Sequence, residues 1–259
     1  MERFKMENVG KKIVLAFILP VIIIVAWWFA TKDGGIPVGI LPPISLVKQG
    51  LVEMISSGEL QQDLIVSLGR VLKGYLVSAI LGITLGSLIG MFRPFKNMTV
   101  PLITVIRQIP IIAWIPLIIM WAGIGEPSKI IIIVLAAFFP ILVNTEAGIE
   151  ETPAGLLEVA SLYKLSPWET FLKVYLPHAL SHILVGLKLG LGVSWMAVVA
   201  AEMIASNTGI GYKLNYARSM MQANKVIVCM IVIGLIGVTM DKVIGWLFSL
   251  ITPWERLKK

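Results

Sequence analysis

Long apolar segments alternate with short polar ones along the whole chain. Most of these segments have no charge over 16 or more residues, and the last two contain only a few ionisable side chains. Because a helix needs about 20 residues to cross the hydrocarbon core of a bilayer, each segment predicts a membrane-spanning helix. The pattern predicts six spans, at 13–30, 64–92, 98–122, 129–149, 178–205 and 226–250.

The composition agrees with an all-α, multi-pass membrane protein. Hydrophobic residues make up 57% of the 259 positions and charged residues 14%. The mean hydropathy is +0.89. A soluble domain of this size needs more charge on its surface, and a disordered chain would be far more polar. The net charge of +7 does not indicate nucleic-acid binding, since the basic residues lie at the ends of the apolar segments.

The distribution of Lys and Arg predicts the orientation in a cell membrane. With a cytoplasmic N-terminus, the predicted cytoplasmic segments carry eleven of these residues and the external segments six. This bias predicts that both termini are cytoplasmic. The predicted organisation is a basic tail, first span and external amphipathic segment over 1–63, a five-helix core over 64–251, and a cytoplasmic tail over 252–259.

Small residues recur every four positions in two of the predicted spans. Such stripes let helix backbones approach closely in a bilayer, where apolar side chains gain little by leaving lipid. The two stripes therefore predict a tightly packed bundle. The residues of the first stripe are Gly74, Ser78, Gly82, Gly86 and Gly90, and those of the second, in a later span, are Gly186, Gly190 and Ser194.

The predicted cytoplasmic segment at 146–177 contains the signals of a helical hairpin. Thr152 followed by Pro153 predicts a helix start with Thr152 as N-cap, and this helix should reach about Tyr163. Ser166-Pro167 predicts a second start, with Glu169 as the partner in a capping box, and Pro177 should end that helix. A hairpin over 153–175 has more structure than a connector needs, which favours a docking element for a cytoplasmic partner.

This hairpin resembles the EAA loop of ATP-binding-cassette (ABC) importer permeases. Glu158-Val159-Ala160 matches the start of that motif, and Leu176-Pro177 matches its end. Val159 is a variant of the second position, and Lys164 stands where the family has glycine, which bears on the turn between the two helices. The resemblance implies that the ATPase-coupling residues are Glu158, Val159, Ala160, Tyr163, Lys164, Leu165, Phe171, Leu176 and Pro177.

Further motifs are similar to those of the nitrate, sulfonate, taurine and bicarbonate permeases of this family. They are Ile40-Leu41-Pro42-Pro43, 67–74, 107–110, 121–126, 200–204 and 209–212. The resemblance implies the type I ABC importer permease fold, a second copy of the chain, two cytoplasmic ATPase subunits and an external solute-binding protein. The implied cargo is a small anion, with a thiamine-precursor pyrimidine as the alternative.

Other functions have less support in the sequence. The chain has no G-x-x-x-x-G-K-[ST] motif, so ATP and magnesium should be bound by a separate subunit, and we expect no cofactor in this chain. A membrane enzyme would need a nucleophile with a base, or a metal cluster, and His178 and His182 with one cysteine do not provide them. An ion-driven secondary carrier would lack the docking hairpin.

The candidate pathway residues are Arg107, Gln108, Trp114, Trp195 and Glu202. An arginine deep in a span usually faces the bundle interior or a wet path, so Arg107 should attract an oxyanion or form a structural pair. Pro110 and Pro116 predict that this span is bent. Glu202, near the external end, should contact the binding protein, close a gate or form a structural pair. Lys188 is predicted to be a bundle or interface residue.

Overall fold

The computed structural model describes residues 2–252, with side chains for Leu15 and from Phe17 onward. Over this range the chain is helical and has no β-strand. The helices are α1 (Glu2–Lys32), α2 (Ile44–Ser56), α3 (Glu59–Met91), α4 (Arg93–Ile106), α5 (Ile111–Ala122), α6 (Glu126–Glu150), α7 (Ala154–Leu162), α8 (Pro167–Thr170), α9 (Leu176–Ala205), α10 (Ile210–Ser219) and α11 (Ala223–Ile251), with a π turn over Phe171–Tyr175 between α8 and α9. The predicted all-α class is confirmed.

Four continuous helical stretches within the described range are long and apolar enough to cross a bilayer. They are Glu59–Met91, Glu126–Glu150, Pro167–Ala205 and Ala223–Ile251. Three of them contain a predicted span in full, and Glu59–Met91 covers the predicted span 64–92 except for its last residue. The chain is therefore a multi-pass membrane protein, because hydrogen-bonded apolar helices of this length satisfy their own backbone in lipid.

The predicted span 98–122 is not one continuous helix. Helices α4 and α5 meet at 98°, with the break between Ile106 and Ile111. Pro110 is the N-cap of α5 and has no backbone N–H to continue a helical ladder. The predicted bend is confirmed, and the bend divides the span into two short helices.

The first predicted span extends beyond the side chains that are described. Its described part is the apolar helix Phe17–Lys32. The count of six spans therefore stays a prediction. The predicted cytoplasmic tail over 252–259 lies outside the described residues except for Thr252.

By their contacts, the residues form two compact units. Of the described residues, the first comprises 2–60 and Leu214–Ile231. Within it, α2 forms the predicted amphipathic helix, with Val47, Gly50 and Met54 buried. Trp27 Nε1 donates a hydrogen bond to the Pro42 carbonyl at 3.0 Å.

Of the described residues, the second unit comprises Gln61–Lys213 and 232–252 and is built around α6. Glycines at four-residue spacing on α3 lie against one side of α6, and Gly186 and Gly190 of α9 lie against another. A Cβ placed on Gly86 would lie 2.6 Å from the Leu142 carbonyl oxygen, and one on Gly186 would lie 2.8 Å from Asn144 Cβ. The predicted small-residue stripes therefore bring three helix backbones into close contact.

Gly86→Ala is expected to destabilise the unit by about 1–3 kcal/mol, because the new methyl group forces α3 away from the α6 backbone. Gly69→Ala on the same helix is the matched control, since its Cβ meets nothing within 4 Å. This control is expected to be neutral or stabilising by about 0.5–1 kcal/mol. The melting temperatures of the two variants in detergent measure the difference, and equal melting temperatures would contradict the packing.

Candidate translocation and coupling sites

A cavity of about 430 Å³ lies where the break between α4 and α5 faces α6 and α9. Most of its wall is apolar, and the polar groups are few, as in many small-ligand sites. The lining residues are Arg107, Ile109, Pro110, Ile111, Trp114, Leu135, Ala136, Phe139, Pro140, Val143, Asn144, Leu189 and Val193.

Arg107 is the cationic residue of this cavity and lies at its edge. It is the C-cap of α4, and its side chain is solvent-exposed in the described chain. The Asn144 amide donates to the Pro140 carbonyl at 2.8 Å. A guanidinium presents five N–H donors in a plane, which suits the oxygens of a carboxylate, sulfonate or nitrate. The cavity can therefore bind a small oxyanion next to the rings of Trp114 and Phe139.

The structure brings together two of the five predicted pathway residues, Arg107 and Trp114. Gln108 is exposed and does not line the cavity. Trp195 is buried elsewhere, and its Nε1 donates to the Ile233 carbonyl at 3.0 Å. Phe139 and Asn144 were not predicted. Asn144 is a polar residue one turn after Pro140 in an apolar helix. This position is the sequence feature from which Asn144 could have been predicted as a cavity residue.

Glu202 lies in a separate network and is fully buried. Arg70 Nη1 donates to Glu202 Oε1 at 2.7 Å and to the Thr208 carbonyl at 2.9 Å. Arg70 Nε and Nη2 donate to Glu126, and Nη2 also donates to the Thr208 hydroxyl at 2.9 Å. Ser67 Oγ donates to the Glu202 carboxylate at 2.8 Å. A buried arginine with all its donors in use joins α3, α6, α9 and the loop after α9.

The loop after α9 and the first turn of α10 each need a glycine to reach this network. Gly209 has φ +104°, and a Cβ there would lie 2.4 Å from the Glu202 carboxylate. A Cβ on Gly211 would lie 2.3 Å from the Val199 carbonyl oxygen. Because the backbone at these two glycines lies so close to α9, the Gly211 N–H donates to Glu202 at 3.0 Å. The Gly209 N–H donates to Asp63 at 2.7 Å. This arrangement favours the structural-pair alternative for Glu202 over contact with solute.

The predicted hairpin is present, and the turn between its two helices, α7 and α8, tolerates Lys164. The Leu165 N–H donates to the Ala160 carbonyl at 3.1 Å and the Lys164 N–H to the Ser161 carbonyl at 2.9 Å. These two bonds form a Schellman motif with Lys164 at the left-handed position, φ 50°. A non-glycine residue there costs about 1–2 kcal/mol, so the chain makes the sharp turn in spite of the substitution.

Two of the predicted helix boundaries differ from the structure. The N-cap of α7 is Pro153 rather than Thr152, whose buried hydroxyl has no hydrogen bond within the described part of the chain. Pro177 does not end a helix, because it lies in the first turn of α9, where the missing N–H is tolerated. The Leu176 N–H donates instead to the Phe171 carbonyl across the π turn.

The predicted capping box of α8 is confirmed. The Glu169 N–H donates to Ser166 Oγ at 3.3 Å, and the Ser166 N–H donates to Glu169 Oε2 at 3.0 Å. The Ser166 hydroxyl also donates to Glu169 Oε2 at 2.9 Å, and Lys173 Nζ donates to Glu169 Oε1 at 3.2 Å. This cap fixes the start of the second helix of the hairpin.

The hairpin carries a surface of exposed large side chains. Leu162 is 81% exposed and Tyr163 77% exposed, and Trp168 stacks on Phe171 with ring centroids 5.6 Å apart. Ala160 is buried, and Glu158, Val159, Lys164 and Pro177 are exposed. Leu165, Phe171 and Leu176 are partly buried. We call Leu156, Val159, Leu162, Tyr163 and Trp168 the exposed hairpin surface.

The histidine pair lies beside this hairpin. His182 Nε2 is 3.2 Å from Glu151 Oε2, and His178 is exposed. Between residues 2 and 252, the described side chains include no group of three His, Cys, Asp or Glu placed to hold a metal ion.

The structure defines an all-helical membrane fold with a bent helix beside a cavity that Arg107 lines. Two solved structures share the fold at 19% identity. An amino acid ABC transporter matches with a TM-score of 0.60 over 78% of this chain and 96% of its own. The MetNI methionine ABC transporter in inward-facing conformations matches with a TM-score of 0.59 over 73% of this chain and 96% of its own.

Sequence comparison gives the family. The model of the binding-protein-dependent transport system inner membrane component matches residues 78–256. A putative ABC transporter permease protein of Methanocaldococcus jannaschii is 38% identical over 96% of this chain and 95% of its own length. The putative aliphatic sulfonates transport permease protein SsuC of Bacillus subtilis is 36% identical over 92% and 86%. The nitrate import permease protein NrtB of Synechocystis is 36% identical over 73% and 69%.

This chain therefore belongs to the binding-protein-dependent inner membrane components of ABC transporters. It is a permease subunit of an ABC importer and a transport component rather than an enzyme. Members of this family function with ATPase subunits and a binding protein. The resemblance found in the sequence is confirmed.

Proposed function

We propose that two copies of this chain form the translocation pathway of an importer for a small oxyanion, with both termini cytoplasmic. Two ATPase subunits would bind ATP and magnesium and dock on the hairpins, and an external binding protein would deliver the solute. The chain itself would bind no cofactor. The sulfonate and nitrate permeases among its relatives support this class of solute.

The exposed hairpin surface is the observation that carries the coupling role. It presents large apolar side chains outside the predicted spans, on a hairpin whose turns are fixed by a Schellman motif and a capping box. Exposed apolar patches of this kind mark interaction sites. Because α8 continues through the π turn into α9, a push on the hairpin would move a membrane helix as a rigid body.

The Arg107 cavity supports the solute class. A single arginine beside aromatic rings and an amide suits one compact oxyanion better than a neutral pyrimidine. Transport of a thiamine-precursor pyrimidine remains the second candidate function. In a transport assay with charged and neutral solutes, that function would give uptake of the neutral pyrimidine and no uptake of the oxyanions.

Leu162→Asp is expected to weaken binding of the ATPase subunits at least about tenfold, since it puts a charge into the centre of the docking surface. Ile124→Asp is the matched control, because Ile124 is 82% exposed on the loop between α5 and α6 and is predicted to be external. Co-purification of the ATPase with each variant measures the effect. Unchanged binding by Leu162→Asp would contradict the docking role.

A further inference from the structure

The turn between α10 and α11 places a methionine in the left-handed backbone region. Met221 has φ 55°. The Gln222 N–H donates to the Ala217 carbonyl at 2.9 Å and the Met221 N–H to the Arg218 carbonyl at 3.1 Å, so a Schellman motif ends α10. Glycine is the usual residue at this position, because a Cβ makes the left-handed conformation costly. Met221 therefore makes the turn less stable than glycine would.

The side chain of Met221 does not repay this cost by packing within the chain. It is 88% exposed, and the side chain of Met220 beside it is 53% exposed. An apolar side chain contributes stability when it leaves water, and Met221 remains in water in the described chain. Strained residues are concentrated at functional sites. Strain together with this exposure favours a contact between Met221 and another molecule.

The exposed residues around this turn are of the kinds found in protein interfaces. Tyr216 and Arg218 at the end of α10 are exposed, as are Met220 and Met221. Tyr, Arg and Met are enriched in protein–protein interfaces, and the flexible thioether of Met adapts to a partner surface. The segment 206–225 contains no Asp or Glu. A protein partner with an acidic surface would be complementary to Arg218.

The predicted topology determines which partner can reach this turn. One predicted span, 178–205, separates the hairpin at 153–175 from the segment 206–225, so the two lie on opposite sides of the membrane. With the ATPase subunits docked on the hairpin, the turn faces the outside. The family functions with a binding protein, which is the external partner.

We propose that Tyr216, Arg218, Met220 and Met221 form a docking surface for the external solute-binding protein. Met221 inserts its side chain into the partner, and Arg218 pairs with an acidic residue there. The Schellman turn holds Met221 away from the body of its unit, which keeps the side chain available to the partner. This inference rests on the proposed importer function and identifies where its external partner docks.

The test measures ATP hydrolysis by the complete complex in lipid discs while the binding protein of the same transporter, loaded with sulfonate or nitrate, is added in steps. Met221→Gly removes the side chain and relieves the backbone, so the complex should assemble with a melting temperature at least as high as that of wild type. We expect the concentration of binding protein that gives half-maximal stimulation to rise at least about fivefold. Hydrolysis without the binding protein should not change.

Met221→Leu is the matched control, because it keeps an apolar side chain on the same backbone. It should need a concentration of binding protein close to that of wild type. An unchanged half-maximal concentration for Met221→Gly would overturn the proposal.

Two other results of Met221→Gly would also overturn the docking role. Separation of the two permease copies would assign the turn to the contact between them, and altered hydrolysis without the binding protein would assign it to a contact with lipid. Failure of the proposed function would look different, because the wild-type complex itself would then show no stimulation with either anion.

Discussion

Arg107→Ala is expected to reduce oxyanion uptake by about 10- to 100-fold. The variant removes the cationic residue of the cavity between α4, α5, α6 and α9. Hydrogen bonds to charged groups contribute about 1.5–3 kcal/mol, and about 1.4 kcal/mol corresponds to a factor of ten. Uptake of labelled sulfonate or nitrate by the reconstituted complex measures the loss.

Two controls separate solute binding from folding. Arg93→Ala removes an exposed arginine from the other end of α4 and is expected to leave uptake within twofold of wild type. Arg107→Lys keeps the charge but loses the planar donor fork, so it should give an intermediate rate. Co-purification should show that all three variants still assemble with the ATPase. Normal uptake by Arg107→Ala would contradict the role in solute binding.

Arg70→Met is expected to destabilise the second unit by about 3–5 kcal/mol. The substitution leaves Glu202 buried with no counter-charge and removes the donors that hold the Thr208 carbonyl and hydroxyl. The loop after α9 would lose its main attachment. Equilibrium unfolding in detergent measures the difference in the free energy of unfolding.

Glu126→Gln is the graded control for the same network. Glu126 accepts from Arg70 but is 54% exposed, so water can replace part of the lost interaction. The expected loss is about 1 kcal/mol or less. If both variants lose the same free energy, burial does not determine the strength of the network, and the assignment of Glu202 as a structural anchor would be wrong.

Local rules predicted those parts of the fold that depend on neighbouring residues. The glycine spacing of α3 predicted its close approach to α6, and Ser166 with Glu169 predicted a capping box at its correct residues. Pro110 predicted a bend. Local rules could not predict the size of the bend, 98°, because the angle depends on the packing of α4 and α5 and not on the proline alone.

Long-range pairing explains what the sequence did not predict. Arg70 is 56 positions from Glu126 and 132 positions from Glu202 in the sequence. Whether these side chains contact one another depends on which ends of the spans lie side by side. The same holds for Asn144 in the Arg107 cavity. The error at Pro177 has a local cause, because the π turn before it allows a proline to continue a helix.

The central claim is that this permease passes a small oxyanion through a pathway driven by an ATPase docked on its hairpin. ATP hydrolysis by the complete complex in lipid discs tests it most directly, with the binding protein loaded in turn with sulfonate, taurine, nitrate, bicarbonate or a neutral pyrimidine. We predict that one of the oxyanions stimulates hydrolysis and that the pyrimidine does not. Stimulation by the pyrimidine alone would contradict the proposed solute class and the role of Arg107.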